Sequence, residues 1–149
     1  ARPDLLLYFP DGIHMAGPPT MTASRPSRAI VLFAHGSRDP LWHKPMEAIA
    51  ARLVALSPGV PVACAYLELS QPDLPTAVAA LRDQGVHTVS VLPLFLGVGK
   101  HAREDLPRLI AELQSQHPDM AFTLNPSIGE DARLVQLVAE IALESLQKR

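Results

Sequence analysis

A chain of 149 residues holds one domain with room for a real core and little room for a second. Its formal net charge of −2 and pI near 6.3 give no global attraction to nucleic acid or to an anionic membrane, so an anionic ligand needs a local basic patch. Cys64 is the only cysteine, which excludes an intramolecular disulfide and a cysteine-built zinc site, and which suits a reducing cytoplasm with Cys64 as a small core residue.

The first 27 residues, ARPDLLLYFPDGIHMAGPPTMTASRPS, are rich in Pro, Gly, Ser and Thr and contain Met15 and Met21. The apolar LLLYF is too short for a secretory core segment and lies far from a basic flank. Residues 1–27 therefore read as a weakly ordered leader outside the domain, with docking of LLLYF as an added strand or lid as the alternative. No apolar run approaches the ~20 residues of a membrane span.

From Ala29 onward short apolar runs alternate with amphipathic stretches, as expected of βα units around a parallel sheet. Strands are predicted at 29–34 (AIVLFA), 60–66 (VPVACAY), 87–96 (HTVSVLPLFL) and 119–125 (DMAFTLN). Continuous Val, Ile, Leu and Phe imply burial on both faces, and Pro93 should stop or bend the third strand. Helical stripes follow at Met46-Ile49-Leu53-Leu56, Leu74-Ala77-Val78-Leu81, Leu106-Leu109-Ile110-Leu113 and Leu134-Leu137-Val138-Ile141. The expectation is one α/β domain over 28–149, a four-stranded parallel sheet flanked by helices in the flavodoxin-like order 2-1-3-4.

In that architecture ligands bind beyond the carboxyl ends of the strands. Two strand ends run into matching chemistry, AHGSRDP at 34–40 and FLGVGKHARED at 95–105. Six histidines occur, at 14, 35, 43, 87, 101 and 117; His35 and His101 stand out because both follow strands that should be neighbours. A pair of neutral imidazoles binds a first-row divalent metal while leaving positions open to a substrate. Glu68, in YLELSQP after the second strand, is the third candidate, as ligand, proton shuttle or simple helix cap.

Gly97, Val98 and Gly99 allow a tight turn that brings backbone N–H groups near a ligand, and with Lys100, Arg103 and Arg38 they make a basic patch for carboxylates or phosphates. GVGK lacks the spacing of a nucleotide P-loop, and no G-x-G-x-x-G follows the first strand. Ser37 in AHGSR invites a hydrolase reading, but there is neither a G-x-S-x-G elbow nor a late Asp and His to complete a triad. Leu94, Phe95 and Leu96 fit a wall for a flat ligand, or ordinary core.

Together AHGSRDP, YLELSQP, LPLFLGVGKHAREDLP at 92–107 and PSIGED at 126–131 resemble the small single-domain sirohydrochlorin cobaltochelatases, relatives of the class II ferrochelatases, over nearly all of 29–147. The resemblance implies insertion of Co²⁺ or Fe²⁺, in some members Ni²⁺, into a sirohydrochlorin-type tetrapyrrole for cobalamin or sirohaem, with the metal as substrate and no permanently bound cofactor. It implies His35 and His101 as the metal-binding and proton-accepting pair and Glu68 as the acidic residue beside them. It also implies a homodimer. The basic patch would meet the carboxylate fringe of the tetrapyrrole through Ser37, Arg38, Gly97, Val98, Gly99, Lys100 and Arg103, and the charge and cysteine content above add the expectation of a cytoplasmic setting with no nucleic-acid or membrane partner. A metal-binding or tetrapyrrole-carrying protein of the same fold without turnover would keep the same residues.

Overall fold

The computed structural model describes residues 6–9, 12–15 and 26–148. In chain order the elements are β1 (Leu6–Phe9), β2 (Gly12–Met15), β3 (Arg28–Ala34), α1 (Lys44–Leu56), β4 (Val62–Tyr66), α2 (Leu74–Asp83), β5 (Thr88–Pro93), α3 (Lys100–Gln116), β6 (Ala121–Leu124) and α4 (Ala132–Glu144). Short 3-10 turns occupy Pro40–His43, Ile128–Glu130 and Ser145–Gln147.

They build one sheet in the order β2-β1-β4-β3-β5-β6. The four strands β4-β3-β5-β6 are all parallel, and among themselves they follow the expected order 2-1-3-4. β1 and β2 pair antiparallel, and β1 joins the outer edge of β4 through Leu7 opposite Ala63 and Tyr8 opposite Val62. For these two strands the added-strand alternative, rather than a loose leader, is what the structure describes. The physical reason is that the parallel sheet ends at β4 with a row of open N–H and C=O groups, which a short apolar strand can fill. Residues 1–5, 10–11 and 16–25 lie outside the described residues.

Alternate residues of the central strands point to opposite faces. Val31, Phe33, Ala63, Ala65, Val89 and Val91 meet α2 and α3 through Leu74, Ala77, Val78, Leu81, Leu106 and Leu113. Leu32, Ala34, Val62, Cys64 and Tyr66 meet α1 through Met46, Ala50 and Val54. Burial on both faces is why β3 and β4 read as unbroken apolar runs. β5 ends at Pro93, opposite Phe33, so the third strand is shorter than 87–96 and stops where the ring nitrogen has no hydrogen to donate.

Two helices depart from their predicted faces. α1 buries Met46, Ala50 and Val54 while Ile49 and Leu56 are exposed, because the small Ala50 lets the helix axis approach the sheet. α4 buries nothing. Its neighbours are the turns on either side, and its Leu137, Val138 and Ile141 stand in solvent. On the α1 side of the sheet, Thr88, Ala121 and Thr123 are left uncovered beside half-buried Ser90 and Leu92. Among the described residues no helix is long and apolar enough to cross a membrane.

Candidate active site

The site grows from the ends of β3, β4 and β5. Beyond the last paired residues of β3 and β4 the hydrogen bonding continues: Leu67 donates its N–H to the Ala34 carbonyl at 2.9 Å and Glu68 to the His35 carbonyl at 3.0 Å. His35 and Glu68 thus leave the sheet side by side, and His35 Nε2 lies 3.2 Å from Glu68 Oε1. Gly36 makes this approach possible. Its φ of +102° falls in the left-handed region, and a Cβ there would collide with the Glu68 carbonyl oxygen. With Glu68 accepting, a neutral His35 carries its proton on Nε2 and keeps a lone pair on Nδ1.

The two loops are stapled by one hydroxyl. Ser70 Oγ accepts from the Ser37 N–H at 3.0 Å and donates to the Ser37 carbonyl at 2.7 Å. That single hydrogen is then used, so the contact of His43 Nε2 with Ser70 Oγ at 2.9 Å makes His43 the donor. The His43 ring is held between Trp42 and Tyr66, at centroid distances of 5.7 and 5.0 Å. Ser37 Oγ accepts from the Asp39 N–H at 3.1 Å, a bond within its own loop.

After β5, the Leu94 N–H donates to the Phe33 carbonyl at 2.7 Å, which sets Phe95 into the core. The Phe95 ring meets Phe33 and His35 edge-on, at 6.1 Å in both cases. Gly129 donates to the Phe95 carbonyl at 3.0 Å and lies so close to Leu96 that no side chain fits. Gly99 is the N-cap of α3, which begins at Lys100.

A cleft of about 460 Å³ opens between α3 and the loop after β4. His35 and His101 both line it, with Leu67, Phe95, Leu106 and Leu109 as apolar wall, Gly97 and Gly99 at its edge, and Asp105, Arg108 and Glu112 as its charged rim. Glu68 reaches this arrangement through His35. Ser37, Arg38, Val98, Lys100 and Arg103 are not among the lining residues. Val98 packs against the core, and Arg38, Lys100 and Arg103 are exposed. The expected anion patch set Arg103 beside His101, whereas α3 starts at Lys100 and its ~100° per residue turns Arg103 about 200° from His101. The same period brings Asp105, Arg108 and Glu112 onto the flank of His101, at spacings of four, three and four.

Gly97 and Gly99 likewise serve differently from the tight turn expected of them. Neither adopts a positive φ, and a Cβ on either would meet nothing within 4 Å. The protein does not need glycine there for its own packing, so the space they leave is space at the cleft. Of Leu94–Leu96, Phe95 alone lines the cleft; Leu94 packs on the α1 side and Leu96 is exposed. Among the described residues no three His, Cys, Asp or Glu side chains converge to hold an ion; the two imidazoles share a cleft without a closed ligand cage.

The profile of the CbiX family matches residues 29–145. This chain belongs to the CbiX family. Its relatives include the sirohydrochlorin cobaltochelatase of Methanocaldococcus jannaschii, 33% identical over 60% of this CbiX chain and 62% of that protein. The sirohydrochlorin ferrochelatase of Bacillus subtilis is 31% identical over 74% of this chain and 42% of its own length. Among solved structures, the CbiX protein of Marinobacter aquaeolei VT8 superposes with a TM-score of 0.72 and 35% identity over 82% of this chain and 99% of that one. SirB of Bacillus subtilis subspecies spizizenii, in complex with cobalt, gives 0.67 and 29% over 79% of this chain and 50% of its own. The match to three sirohydrochlorin cobaltochelatases, that of M. jannaschii among them, spans between 57% and 62% of their length.

Proposed function

We propose that this CbiX chain is a chelatase, a lyase that inserts Co²⁺ or Fe²⁺ into a sirohydrochlorin-type tetrapyrrole on the way to cobalamin or sirohaem. The metal is a substrate, and no resident cofactor takes part. The observation that carries this reading is the pairing of His35, tied to Glu68 at 3.2 Å, with His101 on the wall of one largely apolar cleft.

Metallation exchanges two pyrrole N–H protons for one metal ion, and the metal must shed water on the way. Neutral imidazoles suit both tasks, as bases and as transient ligands that bind without enclosing. When His35 takes a proton on Nδ1, its imidazolium faces the Glu68 carboxylate, which stabilises the new charge and offers a path for the proton to solvent. His101 supplies the second base or ligand. The apolar wall of Leu67, Phe95, Leu106 and Leu109 accepts the flat ring, and Gly97 and Gly99 leave its edge clear. Ser37, Arg38, Val98, Lys100 and Arg103 belong to the same loops and helix start; the three cations draw the acidic fringe of the ligand towards the mouth.

Two features support a homodimer. α4 leaves Val135, Leu137, Val138, Ile141 and Leu143 between 49% and 65% exposed, and apolar side chains gathered on one exposed helix are the kind of surface that a partner covers. SirB is about twice the matched length, as expected if two copies of this chain do what two halves do there. We place the reaction in the cytoplasm, where the buried thiol of Cys64 stays reduced.

The deciding experiment follows absorbance as the purified chain is given sirohydrochlorin with Co²⁺, Fe²⁺ or Ni²⁺. Many metallated rings per chain are expected. At most one per site would make the protein a carrier, and no metallation or binding at all would overturn the reading.

A further inference from the structure

Arg108 is a cation that the cleft holds but the expected anion patch left out. It stands seven residues after His101, two helical turns and about 10 Å along the same flank of α3. Both side chains line the cleft, with Asp105 between them along the helix and Leu106 and Leu109 on the adjoining wall. A tetrapyrrole carries its carboxylates on the rim, roughly 8 Å from the ring centre by summed covalent bonds of ~1.5 Å. With the ring nitrogens at His35 and His101, the rim falls at Arg108. The guanidinium already has a carboxylate partner, Asp105 Oδ1 at 2.8 Å, and both members of that pair are more than half exposed. An ion pair so open to water is weakly held and readily exchanged for another carboxylate.

Resting on the chelatase reading, we propose that Arg108 anchors a rim carboxylate of the tetrapyrrole, and that Asp105 parks its guanidinium facing the cleft until that carboxylate arrives. Arg108 then decides how the ring is turned over the two histidines, while its bidentate fork selects carboxylate-bearing macrocycles over esterified ones.

The two partners should respond in opposite directions, which separates an anchor from a structural ion pair. Arg108→Gln should weaken binding of metal-free sirohydrochlorin, read by fluorescence quenching, about 10-fold or more, the size of a lost charge-assisted hydrogen bond, with Arg108→Lys in between. Asp105→Asn, which frees Arg108 and removes a like charge, should tighten binding severalfold. With the fully methyl-esterified macrocycle, Arg108→Gln and the unmodified chain should bind alike. Circular dichroism and melting temperature report that each variant is folded. Equal binding by Arg108→Gln, weakening by both variants alike, or the same loss on the ester would overturn the anchor while leaving the chelatase reading standing. Failure of the unmodified chain to bind the macrocycle would overturn both.

Discussion

His35 Nε2 and Glu68 Oε1 stand 3.2 Å apart because parallel neighbours β3 and β4 keep exchanging hydrogen bonds past their ends. An imidazole and its carboxylate are therefore set by the sheet itself. His35→Ala and His101→Ala are each expected to lower Co²⁺ insertion at least ~100-fold, and the double substitution should cost little more, as for residues acting as a unit. Steady-state metallation beside circular dichroism checks this. Glu68→Gln keeps the size and loses the charge, and should lower the rate about 10-fold. His87→Ala and His117→Ala should behave as the unmodified chain.

The glycines divide into two kinds that one substitution separates. Gly36→Ala meets the Glu68 carbonyl and a φ of +102°, so it should cost roughly 1–3 kcal/mol of stability. Gly97→Ala and Gly99→Ala meet no protein atom within 4 Å and should change stability by less than about 0.5 kcal/mol, yet both should raise KM for the tetrapyrrole. Thermal melts and steady-state kinetics decide it; unchanged KM in both would remove the ring from this edge of the cleft.

Ser70 serves Ser37 twice and His43 once. Ser70→Ala leaves those partners without it and should destabilise by about 1–3 kcal/mol, with activity falling further than stability because the His35 and Glu68 loops lose their staple. Denaturant melts compared with activity of the folded fraction test this, and a proportional loss of the two would reduce Ser70 to a packing residue.

Asp131 caps α4, accepting from the Arg133 N–H and pairing with the Arg133 guanidinium at 2.7 Å. The side-chain hydrogen bond from Arg133, first, and the backbone bond, second, hold the carboxyl down at about 2 from an ordinary 3.8. A pKa depressed in the folded state means that the cap stabilises above pH ~4 and that its contribution is lost as pH falls from there towards 2. Protection of the amides in the first turn of α4, measured against their intrinsic exchange rates at each pH, should fall over that window, and Asp131→Asn should remove the dependence.

For the proposed dimer, sedimentation at micromolar concentration is expected to find two copies. Val138→Glu with Ile141→Glu, on the open stripe of α4, should give a folded monomer. A monomeric unmodified chain would sink the assembly.

Much of the parallel core was legible because strands buried on both faces must be written as apolar runs, and the α2 stripe at Leu74, Ala77, Val78 and Leu81 was buried as spaced. Other features lacked a local signature. The rotation of α1 turned on Ala50, which a hydrophobic pattern barely registers. The α3 flank of Asp105, Arg108 and Glu112 depended on where a helix begins. Ser70 is one hydroxyl whose partners are 33 and 27 residues away. The edge strand at Leu6–Phe9 needed knowledge of which sheet edge was open. The two glycines at 97 and 99 were visible, but the open space that they border shows only in three dimensions.

Gly129 ties the outermost helix to the innermost chemistry. Its turn leads directly into the Asp131 cap of α4, its N–H holds the Phe95 carbonyl, and the Phe95 ring braces His35 edge-on. A second copy seated on α4, as proposed above, would therefore also steady the imidazole, and the proposed activity would then depend on the concentration of the chain. Specific activity should fall on dilution through the dissociation range of the dimer; a value constant across that range would show that the turn carries no message.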